Sequence, residues 1–319
     1  MNFIIIFIIV LVIIFIISRL YPQKTGQFIY KITTAIESRL YGLKKQQINL
    51  NEDGNKTDEK IIIHAYHTRQ LQKPTILMLH GFSADKDVWM RFARFFKTDY
   101  NLLIPDMAGH GETGFNKNWN YSSPSQAGRL LKLIDTLKID KVHIIGNSMG
   151  GEIAAHFAMR FPERTATVCL VDPAGVTSPV PSDMEKLLAE NKNPFLLNTR
   201  EEFDAFYPMT MAKPPYVPES VLATIAEKYI SQRQQLKQIF SDFINENRLD
   251  NSLHKIKAPT LLVWGELDRL IHVSSVETWE AGIETIKVKI FSKTGHMPML
   301  ERPKDMAEVY REFLHLYHE

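Results

Sequence analysis

The chain has 319 residues, of which 45% are hydrophobic and 23% charged, an ordinary globular composition with room for one α/β domain and an insertion. A formal charge of +2, with no basic stripe interleaved with aromatics, argues against a nucleic-acid partner. The single cysteine, Cys169, rules out an internal disulfide, and without a clustered Cys/His set at zinc spacing no metal is expected.

In chain order, the first feature is an apolar run. Every residue from 3 to 17 is Phe, Ile, Val or Leu, and Leu20 and Tyr21 extend it past Ser18 and Arg19. At about 1.5 Å per residue the run reaches most of a roughly 30 Å hydrocarbon core. A secretory signal would carry a basic head and small residues before a cleavage site, and this segment has neither, so residues 1–22 are expected to be an uncleaved membrane anchor. Arg19, Lys24, Lys31, Arg39, Lys44 and Lys45 all follow the run, which places what comes after it on the cytoplasmic side. Residues 23–50 carry Phe28, Ile29, Ile32, Ile36, Leu40 and Leu43 at helical spacing, the pattern of an amphipathic linker helix. It would lie along the bilayer surface or pack on the globular part.

A polar loop at 51–58 opens the main domain. Apolar runs at 61–65, 75–79, 102–105, 142–145, 166–171, 260–264 and 286–291 are mostly continuous, as strands buried on both faces of a parallel sheet are. Helical patterns near 89–96, 124–137, 149–161, 274–281 and 304–317 alternate with them. The fold expected is α/β, a mostly parallel central sheet flanked by helices. Residues 176–250 interrupt the alternation with helical stretches punctuated by prolines such as Pro194, Pro208 and Pro218. They are expected to form a helical cap inserted into a core made of 51–175 and 251–319.

The chemistry begins at Gly146-Asn147-Ser148-Met149-Gly150-Gly151, a Gly-x-Ser-x-Gly nucleophile elbow between a buried strand and a helix. The pattern needs small neighbours because the serine sits on a strained strand-to-helix turn. The earlier strand at 75–79 ends in His80-Gly81-Phe82, so the backbone N–H groups of Phe82 and Met149 are the expected oxyanion hole. The acid and the histidine should follow the serine in chain order. Asp268 lies in a loop past the strand at 260–264, and His296 past the strand at 286–291. His296 would take the Ser148 proton while Asp268 orients the imidazole.

Other residues compete or have duller roles. Asp172 also follows a sheet strand and rivals Asp268. Asp106 is expected to stabilise a turn, His80, His110 and His143 to be structural, and Cys169 to be a buried core thiol. In the cap, Leu187, Leu188, Phe195, Leu196, Leu197, Phe203, Phe206, Tyr207, Met209, Met211 and Tyr216 would either line an acyl tunnel or simply pack the cap.

These residues resemble the α/β-hydrolase superfamily over the chain after Leu50. The closer match rests on Leu79-His80-Gly81-Phe82-Ser83-Ala84-Asp85-Lys86-Asp87-Val88-Trp89, Ser148-Met149-Gly150-Gly151, Asp172-Pro173-Ala174-Gly175, Gly295-His296 and Glu301-Arg302-Pro303. With the apolar N-terminus, they resemble membrane-anchored monoacylglycerol lipases and related bacterial lipases. The resemblance implies an α/β-hydrolase fold with a cap, a lipid ester substrate, no cofactor and a domain facing the cytoplasm. Two alternatives remain: a carbon–carbon bond hydrolase of ring-cleavage diketones, and a non-catalytic ligand receptor on the same fold.

Overall fold

The computed structural model describes residues 21–50, 61–244 and 248–317. Their frame is an eight-stranded sheet in the order β1-β2-β4-β3-β5-β6-β7-β8. The strands are β1 (Lys44–Asn49), β2 (Ile62–His67), β3 (Thr75–Leu79), β4 (Asn101–Pro105), β5 (Val142–Asn147), β6 (Thr165–Val171), β7 (Thr260–Gly265) and β8 (Ile286–Phe291). β1 and β2 run antiparallel at one edge, and every pairing from β4 to β8 is parallel.

The apolar runs become strands because both sheet faces are covered. Leu77, Leu79, Ile144, Leu170, Leu262 and Trp264 point into one core, whereas their neighbours Ile76, Met78, Ile145, Cys169, Leu261 and Val263 point into the other, as the two-residue period of a strand requires. The first core is covered by α3 (Ser123–Thr136), α4 (Met149–Arg160) and α9 (Ser275–Gly282). The second is covered by α2 (Met90–Ala93) and α11 (Pro303–His315), after the one-turn α10 (Pro298–Glu301). Side chains such as Phe92 and Phe157 are fully buried, and each contributes about 1.5–3 kcal/mol through the water it leaves.

Between β6 and β7 the chain inserts α5 (Asp183–Ala189), α6 (Arg200–Thr210), α7 (Glu219–Ser231) and α8 (Arg233–Ile244). The insertion rests on loops at the carboxyl ends of the parallel strands. Phe195 and Phe240 stack edge-on against Phe82, which follows β3, at 5.1 and 5.4 Å. Lys228 on α7 pairs with Asp85 at 2.6 Å.

The segment expected as one helix over 23–50 divides in two. Helix α1 (Pro22–Leu40) ends because Gly42 takes a left-handed φ of 72° and Leu43 N–H donates back to the Ser38 carbonyl at 2.8 Å, a glycine-dependent stop. The chain then re-enters as edge strand β1, whose sequence Lys-Lys-Gln-Gln-Ile-Asn is polar enough to discourage pairing with another sheet. α1 packs on α7 so closely that a Cβ on Gly26 would stand 1.8 Å from the Ser220 carbonyl oxygen. Its other side leaves Phe28, Ile32, Ile36 and Leu40 exposed. Among the described residues no helix is long and apolar enough to cross a membrane. The run at 3–17, on which the expected anchor rests, and the polar loop at 51–58 lie outside the described residues.

Candidate active site

Ser148 joins β5 to α4 with φ 56° and ψ −121°, a strained conformation for a non-glycine residue. The glycines two positions to either side of it, Gly146 and Gly150, leave no room for a side chain. A Cβ on Gly146 would meet the Gly150 carbonyl oxygen at 2.1 Å, and one on Gly150 would meet the Leu79 carbonyl oxygen at 2.5 Å. The turn is held by Ser148 N–H donating to Val171 O at 3.0 Å and by Ser148 O accepting from Ala174 N–H at 3.1 Å.

The expected partners of Ser148 arrive from two later loops. His296, past β8, shares a 2.7 Å bond between its Nδ1 and Asp268 Oδ2, past β7, and both residues are buried. Because the carboxylate only accepts, Nδ1 carries the proton and Nε2 is left to accept. Asp268 Oδ1 is fixed in turn by the N–H groups of Leu270 at 2.8 Å and Ile271 at 3.1 Å. Asn147, beside Ser148, donates from Nδ2 to the His296 carbonyl at 2.9 Å and so ties the histidine loop to the serine turn. Glu301 accepts from Gly295 N–H and from Lys213 N–H, each at 2.8 Å, which fastens the same loop to the insertion. Among the described residues Ser148 Oγ makes no side-chain hydrogen bond. In unliganded sites such bonds are often long, and they tighten once substrate is bound.

Of the expected oxyanion donors, Met149 directly follows Ser148 and Phe82 directly follows Gly81. A Cβ on Gly81 would stand 3.2 Å from Ser148 Cβ, which sets the start of the β3 loop against the serine. Met149 is the first residue of α4, where backbone N–H groups have no helical partner and the helix dipole favours negative charge.

Asp172, the rival acid, lies within reach of the same pair. One polar atom each from Asp172, Asp268 and His296 lie within 4.8 Å of one another. Asp172 is fully buried at the end of β6 with φ 44°, and its Oδ1 accepts from Gly265 N–H at 2.8 Å. It does not bond the imidazole; Asp268 does. Burial, and then the charge of Asp268, push the Asp172 carboxyl well above the usual carboxylate range.

The remaining titratable candidates hold structure. Asp106 accepts from the N–H groups of Lys86 and Glu112, each at 2.8 Å, and from Lys86 Nζ at 2.7 Å. His80 Nε2 accepts from Met107 N–H at 3.0 Å. Burial pushes His110 down to about 3, so it stays neutral behind Phe82. Cys169 is a buried core thiol that burial pushes far up. Sequence reasoning passed over Asn147 and the Lys228–Asp85 pair. Asn147 carries a local signal, its place inside the elbow, but the Lys228–Asp85 pair spans 143 positions and carries none.

A cleft of about 520 Å³ opens between α1, the loop after β3 and the insertion, with Phe203, Phe206, Tyr207, Tyr229, Met297 and Leu300 among its lining residues. Met297, the residue after His296, is among them, whereas Ser148, Asp268 and His296 themselves are not. Of the candidate tunnel residues, Phe203, Phe206, Tyr207, Met211 and Tyr216 line this cleft; Phe203 and Phe206 are at the same time buried in the core that holds Phe195, Leu197 and Met209.

The family model for the alpha/beta hydrolase fold matches residues 74–303. The chain belongs to the α/β-hydrolase fold family. This hydrolase is 35% identical over 242 residues to Lipase 3 of Moraxella sp. (strain TA144), covering 75% of this chain and 76% of that protein. It is 29% identical over 267 residues to Monoacylglycerol lipase ABHD6 of Homo sapiens, covering 80% and 79%. A solved structure described as a membrane phospholipase A and bacterial virulence factor superposes with a TM-score of 0.86 at 29% identity, over 99% of this hydrolase and 98% of that chain. The likeness to monoacylglycerol lipases and bacterial lipases expected from the motifs is met.

Proposed function

We propose that this hydrolase cleaves carboxylic esters of lipids, monoacylglycerols foremost, through an acyl-enzyme on Ser148. The observation that carries the reading is the buried 2.7 Å bond from His296 to Asp268 beside a serine on a strained turn. His296 Nε2 takes the Ser148 proton as Oγ attacks the ester carbonyl, and the imidazolium then protonates the leaving alcohol. Water repeats the cycle to release the acid. The N–H groups of Phe82 and Met149 hold the oxyanion, at about 3 kcal/mol per donor. The aromatic lining of the cleft and the names of the relatives support a lipid acyl chain as the occupant. On this reading residues 176–250 cap a core of 51–175 and 251–319.

The same proposal sets the domain at a membrane, on the cytoplasmic side, tethered by residues 1–22. Its support is the uninterrupted apolar run at 3–17 followed by Arg19, Lys24, Lys31 and Arg39, and the exposed apolar stripe of α1 later in the chain. The test is turnover of monoacylglycerols and nitrophenyl esters of increasing chain length by the parent and by Ser148→Ala. Turnover that rises to medium or long chains and falls by about 10³-fold or more in the variant is the expected result. Activity on short esters alone removes the lipid assignment, and turnover restricted to vinylogous diketones moves the enzyme to carbon–carbon cleavage.

A further inference from the structure

Two carboxyl groups stand beside His296, and the mechanism above uses one. Their surroundings differ in a way that assigns their protonation. Asp268 accepts three hydrogen bonds, from Leu270 N–H, Ile271 N–H and His296 Nδ1. Asp172 accepts one, from Gly265 N–H to Oδ1, and its fully buried Oδ2 has no hydrogen-bond partner. Among the described residues, neither carboxyl is paired to a lysine or arginine within 4.0 Å. The titratable groups acting on Asp172 from the elements packed around it are Asp268 after β7, His296 after β8 and Glu301 on α10, and the two carboxylates among them only add repulsion. When two carboxyls share a buried site, the one with fewer donors keeps the proton.

We propose that Asp172 and Asp268 are a carboxyl–carboxylate pair holding one proton between them, carried on Asp172 Oδ2 and directed at Asp268, so that Asp172 is a positioning residue for the acid that orients His296. The two carboxyls stand within 4.8 Å of each other, close enough for a side-chain hydrogen bond between Asp172 and Asp268. The proton count explains why such a pair is useful. With one proton the pair carries a single negative charge, which matches the single positive charge of the imidazolium formed when His296 accepts the Ser148 proton. With none it would set two buried charges against one. The pair's proton stays where it is through both half-reactions, and only the Ser148 proton moves. This inference rests on the proposed role of Ser148, Asp268 and His296.

The experiment compares the full-length parent with Asp172→Asn and Asp172→Ala. Asparagine keeps an oxygen for Gly265 N–H and a neutral donor toward Asp268, so kcat on a short nitrophenyl ester should stay within about threefold of the parent and the pH–rate profile should keep its shape. Alanine removes the donor, and kcat should fall about 10–100-fold at unchanged KM, the change expected for one hydrogen bond lost to a charged group. Independently of any substrate, the parent-minus-Asn infrared difference spectrum at neutral pH should contain the C=O band of a protonated carboxylic acid. That spectrum decides the matter even where the alanine variant fails to fold. An absent band overturns the proposal, as does an alanine variant that matches the parent or an asparagine variant as impaired as alanine. A folded parent that shows the band but cleaves no ester counts instead against the proposed function.

Discussion

At the scale of single residues, Asp87 gives the sharpest prediction. Its carboxylate accepts from Tyr30 Oη on α1 at 2.8 Å and from Tyr66 Oη on β2 at 2.9 Å, so it joins the N-terminal helix to the sheet. Burial, and then the charge of Asp85, push it up to about 6, whereas an unfolded aspartate titrates near about 4. The folded state therefore binds the proton more tightly, and this residue's contribution to stability is greatest below about pH 4 and is lost as pH rises to about 6. Asp87→Asn removes that dependence. By scanning calorimetry its unfolding midpoint should exceed the parent's at pH 8 and converge on it toward pH 4; parallel curves would show that Asp87 is not the source. At this scale the sequence was informative wherever chemistry is local. Ser148 lies in its own motif, and Asp268 and His296 each follow a recognisable strand. Asn147 was readable only as a spacer, because its partner carbonyl at His296 is 149 positions away.

At the scale of elements, legibility followed burial. β3, β5, β6 and β7 read directly as strands because helices cover both faces and the runs are continuously apolar. β1 did not, since an edge strand with one solvated side can be written in lysine and glutamine. The stop at Gly42 was likewise hidden, because a helix-spaced apolar pattern continues through Leu43 although the backbone has already turned. The α1–α7 contact was invisible for another reason: what makes it close is the missing side chain of Gly26. Gly26→Leu places atoms inside the Ser220 backbone and should detach α1. Hydrogen exchange across residues 22–40 should then speed up by about tenfold or more, with the sheet strands unchanged. Unaltered exchange in α1 would mean that the helix is held by Tyr30, Glu37 and Arg91 and not by the close approach.

At the scale of the whole molecule, α1, α7 and the mouth of the cleft form one surface. The stripe Phe28, Ile32, Ile36 and Leu40 faces outward, the helix's single acidic residue, Glu37, turns inward to Arg91 at 2.9 Å, and Lys24, Lys31 and Arg39 are exposed. The outer face of α1 is apolar and basic, and suits an anionic bilayer; the exposed acids of this surface, Glu219 and Glu227, stand on α7. Phe28→Glu combined with Ile36→Glu should leave turnover of a short soluble ester unchanged, since neither side chain lines the cleft. Turnover of a monoacylglycerol presented in anionic vesicles should fall by about tenfold. Equal losses on both substrates would assign the stripe to folding, and no loss on either would remove the bilayer from the picture.

The seating of α1 also dictates an order of events during synthesis. Its contact with α7 includes a hydrogen bond from Thr224 to the Gln23 carbonyl, across 201 positions of chain. At about 5–20 residues per second, α1 leaves the ribosome roughly 10–40 s before its docking site does. For that interval the helix lacks the α7 part of its seat and has only nearer partners such as Asp87 and Arg91 to hold it. A nascent chain of this hydrolase is therefore exposed to chaperones and proteases at α1 until α7 follows, and truncation before Glu219 would leave α1 permanently without the α7 part of its seat.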